Sequence, residues 1–208
     1  GYGRSPPSPR PSPSCDRVAP VKKMHLPEYM KKSDATLGDA PKEATTYLFH
    51  EEHFEGFAVF SPLTQGELLP TDIHTLIPAV QGQLPENAAL IYASPGYTAS
   101  DTRCVAVIAK VKNEETGGTD YMVSIQLHGE EMCEVQALFS EIGDIGYRDK
   151  AVYANTGFDN ETPWTEDPYT GETGGFALSR GEQIQYDMLF PEHPLTKARE
   201  FMWVVTGY

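Results

Sequence analysis

The feature that most constrains the fold is a period-two alternation of apolar and polar residues in three neighbouring segments. These segments are residues 104–111, 121–127 and 133–139. Successive side chains of a strand point to opposite faces, so such alternation is typical of strands that bury one face. Glycine-containing turns at Gly117-Gly118 and Gly129 separate the segments. The pattern therefore predicts three antiparallel strands joined as a meander.

Further segments have the composition of strands. They are residues 47–60, 90–92, 150–154, 184–190 and 201–205. About eight short strands separated by turns predict an all-β fold, which we interpret as an antiparallel β-sandwich, immunoglobulin-like or jelly-roll-like. Residues 178–191 (LSRGEQIQYDMLFP), followed by 199–205 (REFMWVV), resemble the final hairpin region of immunoglobulin-like sandwiches. That resemblance implies a closing strand with its aromatic side chains turned inward.

Proline dominates the beginning of the chain, where residues 5–14 read SPPSPRPSPS. Proline fixes φ and has no amide donor, so we expect an extended polyproline II arm. We divide the chain into an arm (1–20), a linker or docking strap (21–44) and one sandwich domain (45–208). The arm resembles the Ser-Pro-rich spacers of secreted and cell-wall glycoproteins, including the hydroxyproline-rich algal ones. This resemblance implies an extracellular or cell-surface location, with a cytoplasmic or virion location as the alternative.

The net charge of −14 is divided unevenly along the chain. Residues 1–32 carry seven basic and two acidic residues, whereas the remaining 176 carry nine basic and 28 acidic ones. An acidic body argues against a nucleic-acid partner, because phosphate neutralisation needs clustered Lys and Arg. No apolar run reaches the length of about 18 residues that a transmembrane helix needs. The basic arm could bind the acidic body of its own chain or lace onto a neighbouring copy.

The loop of residues 155–175 is the strongest candidate binding element, because loops this long in compact domains are often functional. Its candidate binding residues are three aromatic and four acidic side chains: Phe158, Trp164, Tyr169, Asp159, Glu161, Glu166 and Asp167. The aromatic residues are suited to contacting a protein or a glycan. The carboxylates of Asp159, Glu161 and Asp167 could instead bind Ca²⁺, and no other cofactor is expected. A solvated crossover loop is the third interpretation.

No nucleophile elbow, P-loop or dinucleotide-binding motif is present, which favours a non-enzymatic role. The leading hypothesis is a binding or assembly module of a surface-associated or secreted protein, which contacts its partner through residues 155–175. One alternative is a carbohydrate-active hydrolase that uses carboxylates of this loop. Another is a structural subunit of a virion or filament, with an arm that laces neighbouring copies together.

Three cysteines leave the redox compartment open. Cys104 and Cys133 fall in two strands of the predicted meander, where they could form a disulfide if directly opposed, or remain buried thiols. Cys15 lies in the proline-rich arm and would be left over, either to link to another chain or to remain a free thiol.

Overall fold

The computed structural model describes residues 25–34, 43–156, 169 and 178–208. Seven strands within these residues form one antiparallel sheet in the order β1-β2-β3-β7-β6-β5-β4. The strands are β1 (Lys31–Ser33), β2 (Thr45–His50), β3 (Phe54–Pro62), β4 (Ala88–Tyr97), β5 (Arg103–Lys112), β6 (Thr119–His128) and β7 (Met132–Glu141). The all-β prediction is therefore confirmed at the level of a mainly antiparallel sheet.

The described α-helices are α1 (Ile73–Gln83), α2 (Tyr147–Thr156) and α3 (Pro194–Thr206). Short 3-10 helices cover Gln65–Glu67, Arg180–Glu182 and Ile184–Leu189. Helix α3 has Pro at its first position and ends at Gly207, whose φ of 83° is left-handed. Proline suits a helix start because its missing donor is not needed there, and glycine adopts the left-handed end without steric cost.

The predicted meander is confirmed, because β5, β6 and β7 are consecutive neighbours in the sheet. Cys104 lies opposite Leu127 across the β5–β6 pair, and Leu127 lies opposite Cys133 across the β6–β7 pair. The short turns between these strands allow direct antiparallel pairing, as their glycines indicated.

The segment 47–60 forms two strands, β2 and β3, rather than one. Gly56 lies in β3 where the backbone approaches β7 and where the ring of Phe49 covers it. A Cβ atom at this position would overlap the carbonyl oxygen of Leu138. The glycine therefore marks a close approach of two strands, one of the roles that glycine has within sheets.

The sheet has two unequal faces. We call one the α3 face: its core includes Phe60, Ile125 and Phe139, which pack with Phe201 and Val205 of α3. We call the other the α1 face: there Leu76 and Val80 of α1 pack with Leu90, Val105 and Val107 of β4 and β5. Strand β5 is consequently buried on both faces, since Cys104, Ala106 and Ile108 belong to the α3 face.

Three strand predictions were wrong. Residues 150–154 lie in α2, residues 184–189 form a 3-10 helix, and residues 201–205 lie in α3. The alternation of apolar and polar residues at 184–190 does not mark a buried strand face, because Ile184 and Met188 are largely exposed. In α3 the fully buried residues Leu195, Ala198 and Phe201 follow helical spacing.

The predicted sandwich would cover the core with a second sheet, but in the structure helix α3 covers it instead. All seven strands of the described residues belong to one sheet. The segment that resembled a closing immunoglobulin-like hairpin contains 3-10 helix and α3 instead. The strap packs against the core of the α3 face through Leu26, Tyr29 and Met30. Its strand β1 extends the sheet beside β2.

None of the described helices is both long enough and apolar enough to cross a membrane.

Replacing Phe201 with Ala tests the role of α3 as the cover of the core. Phe201 is fully buried, with its ring centroid 5.8 Å from that of Phe139. We expect the free energy of unfolding in urea to fall by about 3–5 kcal/mol, because a large buried side chain leaves a cavity. The neighbouring exposed Glu200→Ala variant should change it by less than about 1 kcal/mol. Equal losses for the two variants would contradict this packing.

Candidate functional site

Tyr169 is the one candidate residue of the 155–175 loop that the structure describes. Its hydroxyl accepts a hydrogen bond from the amide of Ala93 (3.0 Å) and donates one to the carbonyl of Ile91 (3.4 Å). These contacts lie on β4, one of the two edge strands of the sheet, beside a register shift between Leu90 and Tyr92. Tyr169 also packs against the α1-face cluster. It therefore satisfies backbone groups of a strand edge, a role that the sequence did not indicate.

The other six candidate residues lie outside the described residues: Phe158, Asp159, Glu161, Trp164, Glu166 and Asp167. The Ca²⁺ interpretation and the loop-contact interpretation thus stay predictions. Among the residues that the structure does describe, no group of three or more His, Cys, Asp or Glu side chains could hold a metal ion.

Cys104 and Cys133 both face the α3 side of the sheet, but they are not joined. Strand β6 lies between their strands, and Leu127 is the paired neighbour of both. Strands lie about 4.8 Å apart, so residues two strands apart exceed the distance that a disulfide can span. Cys104 is a free thiol whose pKa is raised by burial, and Cys133 is disulfide-bonded. The Cys104–Cys133 disulfide is therefore not formed.

A cluster of buried charges lies on the α3 face, and the sequence analysis missed it. We call it the ionic cluster; its members are Lys110, Glu141, Arg148, Asp149, Glu182, Asp187, His193 and Arg199. At its centre the Nζ atom of Lys110 lies 2.5 Å from Oε1 of Glu182. The hydroxyl of Tyr121 donates to the other Glu182 oxygen, also at 2.5 Å. This pair joins strand β5 to the segment that precedes α3.

Glu182 is held in place by a capping box. Its backbone amide donates to Oγ of Ser179, while its carboxylate accepts from the backbone amide of Ser179. Burial alone would raise the pKa of Glu182, but the ammonium of Lys110 and the hydrogen bonds from Lys110, Tyr121 and Ser179 lower it overall. The carboxylate consequently stays ionised opposite Lys110. By contrast, burial and the charge of Glu182 raise the pKa of Asp149.

Arg148 fastens α2 to the segment that precedes α3 and to α3 itself. Its Nε atom donates to the carbonyl of Gly181 (2.6 Å), and its terminal nitrogens donate to Thr196 (3.1 Å) and Asp187 (2.8 Å). Arg199 of α3 donates to the same Asp187 oxygen at 2.8 Å. Two planar guanidinium groups converge on one carboxylate, an arrangement that favours a single geometry for all three segments.

The ionic cluster surrounds a cavity of about 100 Å³ lined by Lys110, Tyr121 and seven further residues. Its charged members bind one another, backbone carbonyls or hydroxyl groups: Nε2 of His193 lies 3.5 Å from Glu141, and Asp149 accepts a hydrogen bond from Oγ of Ser179 at 2.7 Å. We interpret the cluster as the element that positions α2 and α3 on the sheet. The sequence signal for it was Lys110, a charged residue directly after the apolar run of residues 104–109.

The α1 face is covered over only part of its width. Helix α1 packs on β4 and β5, and a groove of about 450 Å³ lies between it and the central strands. Val107 and Ala109 are apolar residues of the groove, and Val80 and Leu84 line it from α1 and the residue that follows the helix. The remaining lining residues are Glu67, Leu69, Gln83, Met122, Ser124, Gln126, Glu134 and Gln136.

Strand register aligns the polar side chains of this groove. Ser124 of β6 lies opposite Gln136 of β7, and Gln126 lies opposite Glu134. Gln126 is buried, and its amide accepts from the backbone of Leu69 (2.8 Å) and donates to the carbonyl of Glu67 (3.1 Å). These two bonds fix the segment that forms one wall of the groove.

Glu134 is the half-buried carboxylate of the groove. It accepts hydrogen bonds from Oγ of Ser124 (3.3 Å) and from the side-chain amide of Gln136 (3.1 Å). The pKa of Glu134 is raised overall, chiefly because the side chain is partly buried. The two hydrogen bonds oppose this increase, and the nearby charge of Glu67 adds to it. No Lys or Arg is present among the described residues that line the groove. The arrangement can therefore accept a cation or hydrogen-bond donors.

No protein-family model matches the chain, and no curated protein matches it. Among solved structures, the chain is similar to PA94, a protein of unknown function from Pseudomonas aeruginosa. The two share 13% identity with a TM-score of 0.36, over 62% of this chain and 94% of that one. A likeness at this level carries no argument about fold or function.

Replacing Glu182 with Gln tests the ionic cluster. The variant leaves the ammonium of Lys110 buried opposite a neutral group, so we expect the free energy of unfolding to fall by about 3–5 kcal/mol in denaturant titrations. The matched control is Glu192→Gln, because Glu192 pairs with Lys197 at 3.7 Å but is largely exposed. That exposed pair should contribute no more than about 1 kcal/mol. A control as destabilised as Glu182→Gln would refute the role of the buried pair.

His193 gives the fold a predicted pH dependence. Its Nδ1 accepts from the amide of Leu195 at the start of α3, and burial lowers its pKa despite the hydrogen bond to Glu141. Below about pH 6.5 the unfolded chain takes up a proton that the folded chain resists, so stability falls as the pH falls. Asn also caps helices, so His193→Asn should reduce the slope of unfolding free energy between pH 7 and 5.

His74, an exposed residue of α1, provides the control for this measurement. The change of slope in His74→Asn should be smaller than that in His193→Asn. An unchanged slope in His193→Asn would show that another group dominates the pH dependence.

Proposed function

We propose that this chain is a non-enzymatic protein-binding module whose α1-face groove receives an extended peptide segment with a Lys or Arg side chain. The observation that carries the proposal is the half-buried carboxylate of Glu134 in a groove whose described lining has no cation. The loop of residues 155–175 and the arm of residues 1–20 remain proposed contact elements of the same module. A surface-associated or secreted location remains part of this proposal.

The hydrogen-bonding groups of the groove support a peptide ligand. Side-chain amides, which Gln83 and Gln136 bring to the groove, can both donate and accept, as a peptide backbone requires. Ser124 and Gln126 are two residues apart on β6 and so lie on one face, with the spacing at which an extended chain repeats. The apolar residues Val80, Leu84 and Val107 provide the surface that such ligand sites usually contain.

The charge of the groove supports a cationic ligand. Glu67 and Glu134 both line it, and the whole chain carries a net charge of −14. A negative surface increases the encounter rate with a basic partner, and a half-buried carboxylate favours a charge-assisted hydrogen bond over water. Glycan binding, hydrolysis by the loop carboxylates and assembly through the arm remain alternative predictions, since their residues lie outside the described part of the chain.

Titration of the full chain with a fluorescent Lys-Ala decamer tests the proposal, with a Ser-Gly decamer as the uncharged comparison. We expect the Lys-Ala decamer to bind in preference, and Glu134→Gln to weaken that binding by roughly tenfold or more, because the variant keeps the shape of the side chain but removes its charge. The control is Glu130→Gln, an exposed residue of the turn between β6 and β7. Equal affinity of Glu134→Gln and the unmodified chain would contradict the proposed site.

The same titration has an expected pH dependence. Glu134 must be ionised to attract the cation, and its pKa is raised. Binding should therefore weaken on acidification at a pH above the ordinary Glu value of about 4.3. In Glu134→Gln this loss should be reduced or absent. A loss that is identical in both proteins would assign the effect to another group.

A further inference from the structure

A second, smaller groove lies on the α3 face, where β4 and β5 meet α3. We call it the β4 groove; its volume is about 360 Å³. Ile91, Ile108 and Met202 line it and are buried core residues of this face. Tyr92 and Trp203 also line it, but they are 38% and 44% exposed. The groove therefore has an apolar floor and aromatic side chains at its rim.

An irregularity in β4 turns Tyr92 toward this groove. The pairing of β4 with β5 shifts between Leu90 and Tyr92 and skips Ile91. Leu90 and Ala93 both belong to the α1-face cluster, although residues three apart in a regular strand face opposite sides. The two residues between them both line the β4 groove on the other face. A β-bulge can re-aim a side chain in this way, and such bulges are common at sheet edges and next to active sites.

Exposed apolar side chains from three elements converge on the β4 groove. They are Tyr92 of β4, Ile184 of the 3-10 helix and Trp203 of α3. Ile184 is 61% exposed, although its aliphatic side chain would be more stable in contact with other apolar atoms. Single exposed apolar residues are normal on a protein surface, but exposed residues that gather around one concavity indicate a binding site.

The polar residues of the β4 groove favour an uncharged ligand. Among the described residues that line it, Arg199 is the only charged one. Its side chain is 10% exposed, and its terminal nitrogens donate to Asp187 at 2.8 Å and to the carbonyl of Glu182 at 2.9 Å. Its donors are therefore engaged with the protein. The side-chain amides of Gln183 and Gln185 can donate and accept hydrogen bonds without charge.

We propose that the β4 groove binds a neutral, compact aromatic molecule that carries a hydrogen-bonding group. Its volume lies in the range of roughly 300–1,000 Å³ that is usual for small-molecule sites, which are mostly apolar with a few polar groups. The rings of Tyr92 and Trp203 can pack edge-on or offset against an aromatic ligand. This site is separate from the α1-face groove, so the inference is independent of the proposed function.

A second copy of the chain is a less suitable occupant. Ten residues line the β4 groove, whereas a stable protein interface uses about 20–30 residues on each side. The net charge of −14 also opposes self-association and the approach of an anionic ligand. Size and charge therefore both favour a small neutral molecule.

Fluorescence titration of the full chain with N-phenyl-1-naphthylamine tests the proposal. This aromatic probe is uncharged, has one N–H group and fluoresces more strongly when it leaves water. The matched anionic probe is 1-anilinonaphthalene-8-sulfonate, which has the same ring system and an added sulfonate. We expect saturable binding of the neutral probe, roughly tenfold tighter than that of the sulfonate. An absence of saturable binding, or tighter binding of the sulfonate, would overturn the proposal.

Two variants of the rim locate the bound probe. Trp203→Ala and Tyr92→Ala each remove an aromatic contact, so each should raise the Kd of the neutral probe by roughly tenfold. In the controls, Tyr97→Ala removes an exposed ring of β4 outside the groove, and Leu84→Ala alters the α1-face groove. Both controls should bind the probe as the unmodified chain does. Unchanged affinity in both rim variants, or a loss only in Leu84→Ala, would contradict this site.

Two further measurements complete the test. Far-UV circular dichroism checks that the variants fold; the two rim residues lie on different elements, so if one variant unfolds the other still measures the site. Light scattering should give the same molar mass with and without the probe. A dimer of the unmodified chain that dissociates in Trp203→Ala would assign the groove to a second copy, contrary to the proposal.

Discussion

The buried ion pair between Lys110 and Glu182 determines how the elements outside the sheet are placed. Lys110 belongs to β5, whereas Glu182 belongs to the segment between α2 and α3. A buried charge is costly unless it is paired and hydrogen-bonded, so these two residues must meet. The capping box of Ser179 and the hydroxyl of Tyr121 then fix the carboxylate, and Arg148 and Arg199 hold the neighbouring backbone. Helix α3 is consequently set over the core in one orientation.

That placement makes the two faces of the sheet chemically different. On the α3 face a 13-residue helix, aromatic rings and paired charges cover most of the core, and an apolar groove of about 360 Å³ remains beside Ile108 and Met202. On the α1 face an 11-residue helix covers β4 and β5, and the central strands present a polar row to the groove. The strands of the α1 face thus provide aligned polar side chains for a ligand. The half-buried carboxylate of Glu134 among them is the reason for proposing a binding role.

The sequence predicted the central meander because strand alternation is a local property that short turns bring together. It failed for α3 because Phe201, Trp203 and Val205 also alternate, although Trp203 is half exposed and the buried residues follow helical spacing. Pro194 and Gly207, which begin and end the helix, were the better signals. The site was harder to predict: Lys110 and Glu182 are 72 residues apart, and only the fold shows that they meet.

The groove could not be recognised from the sequence either, because its walls come from distant parts of the chain, such as Leu69 and Gln126. Glu134 and Ser124 read as the polar residues of half-buried strands, which are usually solvated. Their significance depends on α1 and the segment near Leu69, whose prolines gave no indication of where they pack. The charges of the α3 face neutralise one another internally, whereas those of Glu67 and Glu134 have no cation in the described groove lining. Part of the acidic excess of the body is therefore concentrated at its half-open surface, where a basic partner can neutralise it.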